Sequence, residues 1–136
     1  MSWRQGLRQR AGQGIPALLE VDALLQASGV LAALPGARIA PGLVRFKLAE
    51  RSCEGVQRQG LAWLSGARQG RGALGGRVPR YREWKAGSAA LTEIGIEGLP
   101  ADWPAHAAVF GCTSVDRRHW LLLLPAHAQL WLGWNG

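Results

Sequence analysis

Cys112, in the run FGCTS, is the residue best suited to nucleophilic chemistry, with His106, His119 and His127 near it in sequence. A Cys–His pair can carry acyl transfer, because the imidazole takes the thiol proton and leaves a thiolate nucleophile. The apolar surroundings of Cys112 work against that, since burial disfavours the thiolate. Cys112 and Cys53 therefore read as small buried hydrophobes. They are too few and too far apart to form a disulfide framework. No H-x-E, C-x-x-C or H-E-x-x-H spacing occurs, so no metal ligands are expected. The scattered acidic residues form no acid/base pair. The expectation is a protein that is not an enzyme, with no catalytic, cofactor-binding or metal-binding residue.

A second candidate is Gly70-Arg-Gly72-Ala-Leu-Gly75, a literal G-x-G-x-x-G. In a dinucleotide fold such glycines join a strand to a helix whose N-terminal amides hold a pyrophosphate. Here Gly76 and Pro79 follow, which are poor material for that helix. No βαβ unit surrounds the motif, so it is incidental and no cofactor is expected.

The third candidate is charge combined with aromatics. The net charge of +7 is concentrated in two segments. Residues 1–14 contribute +3 through Arg4, Arg8 and Arg10. Residues 65–85 contribute +5 through Arg68, Arg71, Arg77, Arg80, Arg82 and Lys85, less Glu83. Tyr81 and Trp84 lie inside the second segment, and Trp3 beside the first. Basic residues interleaved with stacking aromatics are one way to grip a nucleic acid, although no recognised nucleic-acid-binding motif accompanies them. Seven tryptophans are more than a core of this size easily buries with every indole N–H satisfied. Trp dominates many protein–protein contacts. Trp131 and Trp134, near the end of the sequence, extend the set of candidate partner-binding residues: Trp3, Arg68, Arg71, Arg77, Arg80, Tyr81, Arg82, Trp84, Trp131 and Trp134.

The elements that must position these residues are read from periodicity. Pro16–Ser28 places Leu18, Val21, Leu24 and Leu25 at helical spacing, with Pro16 at its start and Gly29 as a stop. In LVRFKLAE, Val44, Phe46 and Leu48 alternate with Arg45 and Lys47, the pattern of a half-buried strand with a basic outer face. Strands are also expected at 61–64, 90–97, 107–112, 119–124 and 129–134, the one at 119–124 apolar on both faces. The fold class is α+β: an N-terminal helix packed on a mostly antiparallel β-sheet or small barrel. The domain reading is a basic arm over 1–14 and a single domain over 15–136, with a Gly/Arg-rich loop at 65–80.

With 136 residues and 48% apolar content the chain is expected to fold. No apolar run is long enough for a signal sequence or a membrane span, so synthesis in the cytoplasm and no membrane span are expected. The functional expectation is a structural subunit that assembles with other proteins, copies of itself included, as small components of phage tails, virions or secretion machines do. The alternative is a basic nucleic-acid-binding protein using Arg4, Arg8, Arg10 and the 65–85 segment.

Overall fold

The computed structural model describes residues 3–28, 42–74, 76–95 and 107–134. Helix α1 (Trp3–Gly12) leads through tight turns into strand β1 (Val21–Ser28), and strand β2 (Gly42–Leu48) follows. Helices α2 (Glu50–Gln59) and α3 (Leu61–Leu64) come next, then the irregular 65–84 segment and the two-residue strand β3 (Lys85–Ala86). Helix α4 (Ser88–Ile94) precedes strands β4 (Phe110–Thr113), β5 (His119–Leu124) and β6 (Gln129–Trp134). The strands form one open antiparallel sheet in the order β1-β2-β6-β5-β4-β3. The architecture is α+β with a sheet, not a barrel.

Both faces of the sheet are covered. Val44, Phe46, Leu121, Leu123, Leu130 and Leu132 join the larger core, together with Ile15, Leu19, Val56, Leu64, Tyr81 and Trp84. The opposite face places Trp120, Leu122, Leu124 and Trp131 in a second cluster with Ala90 of α4. The alternation of β5 residues between the two clusters is the two-sided burial expected of a central strand. At the register pair Trp120↔Gly133 the indole lies against the bare glycine backbone. A methyl group there would collide with Cε2, Cζ2 and Nε1 of Trp120.

Three expected elements changed type. The helix expected at Pro16–Ser28 is a turn followed by β1. Pairing with β2 is irregular between Val21 and Ala23 and again between Leu24 and Gln26. The irregularities break the strict two-residue alternation: Ala23 and Leu24 are both at least partly buried and Leu25 and Gln26 are both exposed, so the apolar spacing imitates a helix. The strand expected at 61–64 is α3. Gly60, with φ +55°, makes the break between α2 and α3, and its amide still bonds to Val56 O at 2.7 Å. Ser52, Cys53 and Val56 form the buried stripe of α2.

The strand expected at 90–97 is α4 as far as Ile94, while residues 96 and 97 lie outside the described set. Ala90 and Ile94, four apart, lie on one side of that helix and pack over Gly111 of β4. The strands expected at 119–124 and 129–134 are present. The one expected at 107–112 begins at Phe110. In β2 only Lys47 is an outward charge, because Arg45 lies 4.2 Å over the Trp131 ring.

Candidate functional site

The two cysteines are buried thiols. Cys112 is fully buried, and burial pushes its thiol well above its usual range, with nearby Arg68 opposing the effect only in part. Cys53 is a free thiol raised in the same direction by burial and the neighbouring carboxylates. The hairpin joining β4 to β5 holds a serine, an aspartate and a histidine, but their connections are not those of a catalytic triad. Ser114 Oγ donates to Asp116 Oδ1 at 2.6 Å and accepts from the backbone N–H of His119 at 3.0 Å. The hydroxyl therefore meets the histidine backbone, not its imidazole. Asp116 also accepts from the Arg118 amide at 3.0 Å, and these bonds hold its carboxyl below the usual range. The group is a turn scaffold. Among the described residues no cluster of His, Cys, Asp or Glu could hold a metal ion. His106 lies outside the described residues.

The Gly/Arg segment is ordered by backbone and side-chain bonds, and the structure divides its residues into two groups. The inward group holds the segment down. Tyr81 is 2% exposed, and its hydroxyl donates to Gly14 O at 2.6 Å. Trp84 is 3% exposed, and its indole N–H donates to Ala67 O at 2.7 Å. Arg68 Nε donates to Tyr81 O at 3.2 Å. Arg71 reaches back across the chain: Nε donates to Ile15 O at 3.2 Å, and Nη2 to Pro16 O at 3.2 Å and Leu19 O at 2.5 Å. A fork of planar donors suits this task, since it adds to the backbone bonds that Ile15 O takes from the Arg71 amide and Pro16 O from the Leu19 amide, and reaches Leu19 O as well. Gly70 and Gly72 permit the close approach of the two segments, because a Cβ on either would collide with Gln13. Two of the three glycines of the G-x-G-x-x-G thus serve chain packing, and no helix follows them.

This corrects part of the sequence reading. Tyr81 and Trp84 are interior anchors, and Trp131, 1% exposed, is a core residue with its N–H bonded to Gln129 Oε1 at 2.9 Å. None of these three rings faces a partner in this conformation. The physical reason is that each polar tip finds an internal acceptor, which removes the cost of burying it. Trp134 is half-buried against the larger core. The side chains of Trp3 and Arg4 lie outside the described residues.

The outward group is Arg77, Arg80 and Arg82, all exposed. Arg77 sits on a tight turn whose ends meet through the Leu74 N–H and Arg77 O at 2.7 Å. Arg80 and Arg82 flank Tyr81, which bridges to Ser114 in antiparallel fashion. The Val115 amide donates to Arg80 O and the Arg82 amide to Thr113 O, both at 2.8 Å. Paired residues share a face, so Arg80 and Val115, which is 66% exposed, stand side by side. Arg117 and Arg118, both exposed, follow on the same hairpin. Arg82 is 3.6 Å from Glu93, which also accepts from Thr113 Oγ1 at 2.9 Å. The pairing thus brings two arginines of the 80–82 segment to the hairpin that carries Arg117 and Arg118, with Arg80 beside the exposed Val115. Arg117 and Arg118 were not singled out from sequence. They lie in the polar run Val115-Asp-Arg-Arg118 between two strands, and the pairing of that run with residues 80–82 is a tertiary contact without a local signal.

No known family matches the chain, and no curated protein or solved structure does either. The functional reading rests on the geometry.

Proposed function

We propose that the chain is a non-enzymatic structural component that docks onto other protein subunits through the arginines around the β4–β5 hairpin. The supporting observation is the Tyr81–Ser114 bridge, which sets Arg80 beside the exposed Val115 and joins the 80–82 segment to the hairpin that carries Arg117 and Arg118. An exposed apolar residue beside an arginine, on a hairpin with two more, suits a protein surface bearing carboxylates, since Arg forms bidentate pairs with them and is enriched at interfaces. In this reading helix α1 packs on the sheet as part of the docking body, held by Arg8 at the start of β1. Assemblies of many small subunits, such as a phage tail, a virion or a secretion machine, are the setting that fits. Copies of this chain are among the subunits it would meet.

The same arginines would also suit phosphates, which makes nucleic acid the second reading. Against it stands the burial of Tyr81 and Trp84, because single-strand grips rely on exposed rings for stacking. Sedimentation across a concentration range, with DNA and RNA binding titrated against salt, separates the two. The assembly reading expects self-association that weakens in an Arg80→Glu/Arg118→Glu variant, together with weak oligonucleotide affinity. A monomer whose DNA affinity falls steeply with salt refutes it.

A further inference from the structure

A groove of about 540 Å³ lies apart from the hairpin, lined by Gln5, Arg8, Gln9, Gly12, Gln13, Val21 and Arg71. We infer that this groove binds an extended acidic segment of a partner protein, with the partner's carboxylates meeting Arg8 and Arg71 and its backbone meeting the glutamines. The inference rests on the assembly reading but concerns a different surface.

The lining is the argument. Gln5, Gln9 and Gln13 recur every four residues along α1 and the turn that ends it, which puts them in one row. Each primary amide both donates and accepts, as a peptide backbone does. The row spans about 12 Å at 1.5 Å per residue, the length of roughly four extended residues. The two charges in the lining are guanidinium groups, and no carboxylate lines the groove among the described residues.

Both arginines are already fixed in place. Arg8 Nη2 donates to Asp22 O at 2.9 Å and reaches Val21 O at 3.4 Å. Arg71 is fixed by its three carbonyls through Nε and Nη2. Nη1 takes part in none of these bonds, so each side chain is pre-positioned and keeps donors for a ligand. Among the described residues the lining holds no aromatic ring, which favours a peptide over a nucleobase. Gly12 opens the floor: a Cβ built there meets nothing within 4 Å.

The test uses the full chain and a set of fluorescent octapeptides of Gly and Ser carrying two glutamates at separations of two to five residues. Binding is read by anisotropy. At least one spacing is expected to bind, and its affinity to drop tenfold or more in Arg8→Glu. Gly12→Leu, which fills the groove without changing charge and favours the helix, is expected to cause a comparable loss with the melting temperature unchanged or raised. Arg58→Glu on α2 makes the same charge change elsewhere and is expected to shift affinity less than twofold. The inference is overturned if no peptide binds, if Gly12→Leu binds like the wild type, if Arg58→Glu weakens binding as much as Arg8→Glu, or if a single-stranded oligonucleotide competes for the groove more tightly than any peptide. Self-association measured on the same samples reports on the hairpin separately, so a failure of the groove and a failure of the assembly reading give different results.

Discussion

Replacing Arg71 by alanine tests the division of the arginines into structural and displayed groups. Its guanidinium supplies three contacts to the carbonyls of Ile15, Pro16 and Leu19. Hydrogen bonds from a charged donor contribute roughly 1.5–3 kcal/mol each where water is excluded. Arg71 remains partly open to solvent, and the two 3.2 Å bonds are long, so about 1 kcal/mol per bond is the better figure. The expected loss for Arg71→Ala is thus about 3 kcal/mol, a large share of the roughly 5–15 kcal/mol that stabilises an ordinary domain. In a chain of this size that lowers the melting temperature by roughly 10 °C. Arg71→Lys keeps the charge but not the planar fork, and is expected to recover only about a third of the loss. Arg80→Ala, at an exposed position, is expected to stay within about 0.5 kcal/mol of the wild type. Urea denaturation followed by tryptophan fluorescence measures all three. If Arg71→Ala unfolds at the wild-type midpoint, or if Arg80→Ala costs as much, the division of the segment is wrong.

Gly133→Ala is expected to cost up to about 4–6 kcal/mol in the same assay, because Trp120 must leave its seat and an indole buries roughly 150–250 Å² at about 25 cal/mol per Å²; near-wild-type stability would show that the indole repacks freely. Tyr81→Phe leaves Gly14 O without its buried donor and is expected to cost about 1–3 kcal/mol, with a cavity no larger than the lost oxygen. His119 is half-buried, and burial lowers its pKa from the usual value of 6.5, against an opposing pull from Asp116. The unfolded chain then binds the proton more readily, so stability is expected to fall as pH drops below about 6.5 and to level off once the folded imidazole is also charged. A His119→Gln variant is expected to lose that component of the pH profile, which equilibrium denaturation between pH 5 and 8, a window of roughly the histidine range, would reveal.

Periodicity was informative where strands pair regularly. Val44, Phe46 and Leu48 alternate inward because β2 pairs with both β1 and β6, and β5 is apolar on both sides because helices and loops cover both faces. It misled where the backbone departs from regular pairing. In β1 the two irregularities put the neighbours Ala23 and Leu24 on the covered side and Leu25 and Gln26 on the exposed side, and the result reads as a helix. Around Gly60 and Gly87 positive φ values start helices of four and seven residues, too short for a helical period to stand out. That no helix follows Gly76 was legible, because it depends on Pro79, close in sequence.

The identity of the basic segments was therefore a property of the sequence, and so was the lack of a helix behind the G-x-G-x-x-G. Which arginines act within the fold and which face outward was decided by tertiary structure alone. Arg71 and Arg80 are the same residue type nine positions apart in one segment. One meets carbonyls more than fifty residues away, and the other meets solvent beside Val115. The same holds for the aromatics. Tyr81 and Trp84 look like surface anchors in a basic run, yet Gly14 O and Ala67 O lie within reach of their polar tips and make the interior the cheaper place for both rings. Local sequence encodes what a side chain can donate or bury. The acceptor that decides its place is supplied by a distant stretch of chain, and only folding brings the two together.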